Sequence, residues 1–187
     1  MKPYYVLLIL LISFTKADSK TVDGFIITLK NDTVSLKIKI PGAFSNFNYK
    51  EVEIIDSSNE SKVLTPEDIK GYGYHYKNKD YVYMSKKIKK GALYFLEQIV
   101  GGPKASLYQY ISSSGGYGSD KVFYTFERAD GINLFIDNYS SLSDFRNELR
   151  FFYNENIGVQ KLIDSKFNGR GHIQDDIKEV VETVNKL

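Results

Sequence analysis

Between Val22 and about Ile136 the chain alternates repeatedly between apolar and polar side chains. The clearest stretch has Val34, Leu36, Ile38 and Ile40 interleaved with Ser35, Lys37 and Lys39. A period of two sends successive side chains to opposite faces, so this stretch predicts a strand with one buried face. Phe25 to Leu29 is a more continuous apolar run. Asn31-Asp32 between the two reads as a tight turn, which predicts a hairpin over 22–40 ended by Pro41-Gly42. Further pairs of strands follow the same logic. Glu51–Ile55 and Lys62–Leu64 flank Ser57-Ser58-Asn59-Glu60, and Tyr72–Tyr76 and Tyr81–Met84 flank Lys77–Asp80. Ala92–Val100 and Ala105–Ile111 flank Gly101-Gly102-Pro103-Lys104, and Val122–Glu127 and Ile132–Ile136 flank Asp130-Gly131. Thr65-Pro66-Glu67-Asp68 predicts one helical turn, with a Thr cap, proline at the first helical position and acids against the dipole. Ser112–Ser119 is Ser/Gly-rich and reads as a mobile loop.

The period changes after residue 140. Ser143 is placed to cap a helix from Asp144 to about Tyr153, with Phe145, Leu149 and Phe152 on one face. A short helix is expected over Ile157–Ser165, then a break at Asn168-Gly169-Arg170-Gly171. Ile173, Ile177, Val180, Val181 and Val184 form one apolar stripe on a last helix that runs to about Asn185. Strands followed by helices predict an α+β fold. Serial antiparallel hairpins form a bent sheet or small roll over 18–140, and two or three C-terminal helices over 141–187 pack on it.

The N-terminus follows neither pattern. Lys2 precedes an apolar run from Tyr4 to Phe14, broken only by Ser13, and Thr15-Lys16-Ala17 closes it. A charged end, a short apolar segment and small residues before the cut describe a secretory signal peptide at 1–17, cleaved after Ala17. The run is too short to span a bilayer, which takes about twenty residues. The mature chain is therefore expected to carry no transmembrane helix.

Charge and cysteine narrow the classes further. The chain has 25 basic and 23 acidic side chains. Lys2 and Lys16 leave with the signal, so the mature chain is balanced. A nucleic-acid binder carries a basic excess, so no nucleic-acid partner is expected. Cysteine is absent, which removes disulfides, thiolate nucleophiles, Cys-based metal sites and a cysteine-linked lipid anchor. Exported animal and plant proteins often use disulfides. Their absence points to a bacterial envelope, with the mature chain periplasmic, outer-membrane-associated or secreted.

The candidate chemistry is aromatic. Tyr72, Tyr74 and Tyr76 share one strand face, and Tyr81 and Tyr83 oppose them on the partner strand. Cross-strand aromatic pairs stabilise a hairpin by a few tenths to about 1 kcal/mol each. Exposed, the same rings would stack on sugars or partner side chains, with Gly71 and Gly73 leaving room for close approach. These five tyrosines are the candidate ligand-binding residues, and an envelope glycan or a protein is the candidate partner. Lys86-Lys87-Ile88-Lys89-Lys90 reads either as a solvated sheet edge or as a contact for an anionic surface. His75 and His172 are the only histidines and lie far apart in sequence, so no metal or cofactor is expected. Serine-hydrolase elbows, phosphate loops and dinucleotide fingerprints are missing, and no catalytic residue is assigned.

Several short segments carry a resemblance. They are Gly24-Phe25-Ile26-Ile27-Thr28 before Asn31-Asp32-Thr33, and Thr65-Pro66-Glu67-Asp68-Ile69-Lys70-Gly71-Tyr72. Phe95-Leu96-Glu97, Gly102 through Ser106-Leu107-Tyr108, Leu149–Phe152 and Ile177–Val181 complete the set. In these the chain resembles a group of uncharacterised exported proteins of Bacteroidetes bacteria. The resemblance implies an exported envelope protein with a β-rich body and a helical tail, and brings no activity or catalytic residue. The expectation is an exported, non-catalytic binding or scaffolding protein of the cell envelope. The alternatives are an envelope hydrolase with an unrecognised site, and an outer-membrane-associated or barrel component.

Overall fold

A computed structural model of the chain describes residues 20–40, 49–88, 91–112, 121–136, 141–168 and 173–187. The expected signal segment, most of the Ser/Gly-rich loop, Lys89, Lys90 and His172 lie outside the described residues.

Ten strands precede three helices, which is the expected α+β arrangement of serial hairpins and a helical end. The strands are β1 (Lys20–Thr28), β2 (Thr33–Ile40), β3 (Val52–Ile55), β4 (Ser61–Leu64), β5 (Ile69–Tyr76), β6 (Lys79–Lys87), β7 (Leu93–Val100), β8 (Ala105–Ser112), β9 (Lys121–Arg128) and β10 (Asn133–Ile136). The helices are α1 (Leu142–Phe152), α2 (Ile157–Lys166) and α3 (Ile173–Lys186). All ten strands join one antiparallel sheet in the order β10-β9-β8-β7-β6-β5-β1-β2-β3-β4. The turn residues explain the hairpins. Lys77 and Asn78, with φ of 50° and 59°, form the two-residue turn from β5 to β6. Two positive φ values give a turn whose twist matches that of the strands it joins.

One link sets the shape. The chain runs β1-β2-β3-β4 outward from β1, then returns to place β5 on the other side of β1. A flat sheet would put β4 about four strand spacings, roughly 19 Å, from β5. Leu64 and Ile69 are joined by four residues that contain a turn, Asp68 N donating to Thr65 O at 3.0 Å. Such a link falls short of that span. The first five strands must therefore roll up until β4 meets the start of β5. Leu64 and Ile69 are accordingly both buried in one cluster with Ile38, Val52, Ile54, Tyr72, Tyr74, Tyr83 and Phe95. The expected turn at Thr65–Asp68 is a single hydrogen-bonded turn between β4 and β5. The Asp68 carboxylate accepts from the Thr65 N–H and hydroxyl, both at 2.8 Å, and so closes the turn onto β5.

The other half of the sheet is covered by helices. A second cluster joins Leu107, Tyr124, Phe126 and Ile136 to Phe145, Leu149, Val159, Ile163, Ile177, Val180 and Val181. Ser141, not Ser143, caps α1, its Oγ accepting from Asp144 N at 3.1 Å. Asn156 caps α2 through Val159 N at 3.0 Å. The end of α3 is tied to the β7–β8 turn by one side chain. Asn185 Oδ1 accepts from Lys104 N at 3.0 Å and Ala105 N at 2.9 Å, and its Nδ2 donates to Ala105 O at 2.9 Å.

Candidate functional site

The five tyrosines share a face as expected, and that face is the inside of the roll. Tyr72, Tyr74 and Tyr83 are 0%, 6% and 4% exposed. Tyr72 stacks on Tyr83 at 4.8 Å and meets Phe95 edge-on at 4.9 Å. Tyr74 stacks on Tyr81 at 5.2 Å. Only Tyr76 and Tyr81 are half-buried at the rim. Ammonium groups already stand over their rings: Lys20 and Lys77 over Tyr76 at 5.2 and 5.3 Å, and Lys79 over Tyr81 at 4.4 Å. The glycines between the tyrosines leave no open space. A Cβ on Gly73 would lie 2.5 Å from the Phe25 ring, and one on Gly71 2.5 Å from the Tyr83 carbonyl oxygen. Burial raises the phenol pKa of Tyr72, Tyr74 and Tyr83; that of Tyr74 reaches about 12 although its hydrogen bond with Tyr83 works to lower it, and Glu97 adds to all three shifts.

A polar seam borders this cluster. Cross-strand pairing sets Ile26, Tyr72, Tyr83, Glu97, Gln109, Tyr124 and Ile136 in one row across the sheet. Glu97 and Gln109, in its middle, are 7% and 6% exposed. The Glu97 carboxylate accepts from Lys79 Nζ at 3.0 Å and from Gln109 Nε2 at 2.8 Å. Gln109 Oε1 accepts from Gln174 Nε2 of α3 at 3.0 Å. A buried carboxylate is tolerable only when paired and hydrogen-bonded, and these contacts supply both. The seam separates the tyrosine cluster from the helix-covered one.

Among the described residues, several hollows open around Arg128 at the end of β9. A cleft of about 390 Å³ lies between the β9–β10 turn and α2–α3, lined by Lys104, Arg128, Asp130, Tyr153, Asn156 and Val184 among others. A groove of about 590 Å³ runs between β10 and α1, and a hollow of about 300 Å³ opens beside Lys86 and Tyr108. Arg128 lines all three. Its guanidinium donates to Phe152 O at 3.0 Å and pairs with Asp130 at 2.6 Å and Glu155 at 3.5 Å. Tyr153, 6% exposed, has a buried hydroxyl with no hydrogen-bond partner. Burial raises its pKa, against the opposing charge of Arg128.

The face of the sheet away from the helices holds Lys86, Tyr108 and Glu127. Lys86 of β6 pairs with Glu127 of β9, and its ammonium lies 4.8 Å from the centre of the Tyr108 ring. Three strand spacings separate β6 from β9, roughly 14 Å. The contact therefore ties β6 to β9 across the two strands between them. Burial works to lower the Lys86 pKa, but the Glu127 hydrogen bond and the Tyr108 and Glu127 charges outweigh it and raise it. Lys86 is thus part of the structure, not of a free basic run. Tyr94, Tyr110 and Phe123 make a further half-buried aromatic group, with Tyr110 5.5 Å from Tyr94 and 5.6 Å from Phe123.

His75 is exposed, its Nδ1 2.7 Å from Asp80 Oδ1. Among the described residues no three His, Asp or Glu gather to hold a metal ion. Also among them, no helix is long and apolar enough to cross a membrane. No family model, curated protein or solved structure matches this chain. Sequence reading passed over Arg128. The available signal was its rarity: Arg128 is one of four arginines among 25 basic residues, and it stands next to a turn. Arginine's rigid five-donor fork is the side chain suited to several partners at once.

Proposed function

We propose that the chain is an exported, non-catalytic binding or scaffolding protein of the bacterial cell envelope, and that it binds at its helical end around Arg128. The observation that carries the choice of surface is that three separate hollows meet at Arg128. The tyrosine cluster, by contrast, is filled with its own rings. Ligand sites are mostly apolar hollows of some 300–1,000 Å³ with a few placed polar groups. The cleft lined by Val159, Val184, Tyr153, Lys104 and Arg128 fits that description. Export rests on the layout of residues 1–17. A closed barrel is less well supported, because among the described residues the hydrogen-bonded strand order ends at β10 and β4 without joining them. Hydrocarbon could not satisfy the backbone of an unpaired strand edge.

Two measurements test the reading. The full chain is expressed with its N-terminus intact and the mass of the exported product is determined. The expected product starts at Asp18, and retention of Met1 in a cytosolic product counts against export. The purified product is then titrated by thermal shift with glycans, peptidoglycan fragments and lipid head groups. A ligand of the native state at 100 times its dissociation constant adds about 2.7 kcal/mol, which is visible as a raised melting temperature. The shift is expected to vanish in a folded Arg128→Ala variant and to survive Tyr76→Ala. The opposite pattern would return the site to the tyrosine rim.

A further inference from the structure

The β10 edge and the groove beside it lie on the same face of the molecule. We infer that they dock an extended peptide segment that carries a basic and an apolar side chain two residues apart. The inference rests on the binding-protein reading and names the partner and its site.

The backbone comes first. Among the described residues β10 is the last strand of the sheet and pairs only with β9. Arg128 N donates to Ile132 O at 2.9 Å and Gly131 N to Arg128 O at 2.9 Å, so Arg128 and Ile132 form a hydrogen-bonded pair at the turn. Hydrogen-bonded and non-hydrogen-bonded pairs alternate along an antiparallel ladder. With Leu134 opposite Phe126 and Ile136 opposite Tyr124, the next bonded pairs fall there. Asn133 and Phe135 therefore turn their N–H and C=O groups away from β9. These groups are the template that an added strand uses.

The side chains next. Ile132 and Leu134 lie on the helix side of β10, and with Phe151 and Phe152 of α1 they line the groove of about 590 Å³. Phe151 is 81% exposed and Ile132 52% exposed. Such apolar surface beside an open edge marks an interaction site. The charge of the groove selects the occupant. Its ionisable lining is Glu148, Glu155 and Arg128, and the single Arg128 guanidinium is shared between Asp130 at 2.6 Å and Glu155 at 3.5 Å, so three carboxylates surround one cation. The remaining field is acidic, which favours a basic side chain and repels an acidic one. Residues of an added strand opposite Ile132 and Leu134 would both point to the helix side, two positions apart. One would lie on Phe151 and Ile132, the other against Glu148 and Glu155.

The probe is a short capped peptide whose alternate positions carry valine and lysine between threonines, read by fluorescence polarisation against the full-length exported product. A second peptide has glutamate in place of each lysine. The lysine peptide is expected to bind on the order of tenfold more tightly or better, with a preference that shrinks as salt rises. Glu148→Lys is expected to reverse the preference, and Phe151→Ala to weaken both peptides. Asn133→Pro removes an outward N–H but no ladder bond, and proline is tolerated on an edge. It is expected to abolish binding while the melting temperature holds. Failure of the lysine peptide to bind, equal binding of the two peptides, or indifference to Asn133→Pro would overturn the inference. So would concentration-dependent dimers lost in Asn133→Pro, since the occupant would then be a second copy of this chain. A thermal shift with a glycan and no peptide binding would overturn the groove and leave the broader binding reading standing.

Discussion

Tyr72 and Tyr76 lie on the same strand face, four residues apart, and have different physical roles. Tyr72 is fully buried between Tyr83 and Phe95, while Tyr76 sits at the rim under two lysines. Removing a large buried ring costs about 3–5 kcal/mol, so Tyr72→Ala should lower stability by that amount. Tyr76→Ala should cost under about 1 kcal/mol, and urea denaturation of the two variants measures both. The buried phenols also set an alkaline limit. Tyr72, Tyr74, Tyr83 and Tyr153 all have pKa values raised in the fold, that of Tyr74 to about 12. Their stabilising effect is complete below the unfolded value near 10. Above it the unfolded chain gives up protons that the fold retains, so stability falls as pH rises through 12. The slope should exceed the roughly 1.4 kcal/mol per pH unit available to one tyrosine. Denaturation midpoints taken across that range, alongside tyrosinate absorbance, report it. A flat stability profile would mean that the phenols ionise equally in both states. At this scale the sequence was legible as far as the shared face. Whether the face looked in or out depended on Leu64 meeting Ile69, which no local pattern of residues encodes.

At the scale of elements, the alternation of Val34 to Ile40 and the turn residues were enough to place the hairpins. The helical stripe of Ile177, Val180 and Val181 was equally plain, and all three are fully buried. Thr65-Pro66-Glu67-Asp68 makes the single turn its residue types suggest, and the chain goes on into β5 instead of a helix. There the Asp68 carboxylate accepts from the Thr65 N–H, as an acid three residues after a helix cap does. The junction at Asn185 was not legible, since its partners lie some eighty positions away. That junction makes a sharp prediction. A Cβ on Gly102 would fall 2.2 Å from the Asn185 amide, so Gly102→Ala must displace the side chain that makes three backbone hydrogen bonds. Asn185→Ala should cost about 1–3 kcal/mol by leaving Ala105 N and O unpaired. Because both substitutions break the same contacts, Gly102→Ala should be nearly neutral in the Asn185→Ala background. A double-mutant cycle by urea denaturation reads the coupling, and additive losses would show that the two sites are independent.

At the scale of the molecule, two apolar clusters share one sheet and meet at a polar seam. The β7–β8 pairing that joins them is short and bulged between Gln98 and Val100. Lys79, Glu97, Gln109 and Gln174 fill the seam with hydrogen bonds in place of apolar contact. Such a boundary predicts two cooperative units that open with different free energies. Native-state hydrogen exchange should give one value for β1–β5 and another for β9, β10 and the helices, and a single shared value would rule the division out. The surface chemistry was the least legible level. Arg128 acquires three hollows only once the β9–β10 turn and the helices converge on it. The short link between β4 and β5 has a consequence for folding. β1 pairs with β2 on one side and with β5 on the other, so its second edge stays bare until β2, β3 and β4 are in place and Thr65–Asp68 has turned the chain back. Until then the half-made roll exposes an apolar strand edge to any chain nearby. The first half of the sheet is therefore protected only when its fifth strand has closed onto its first.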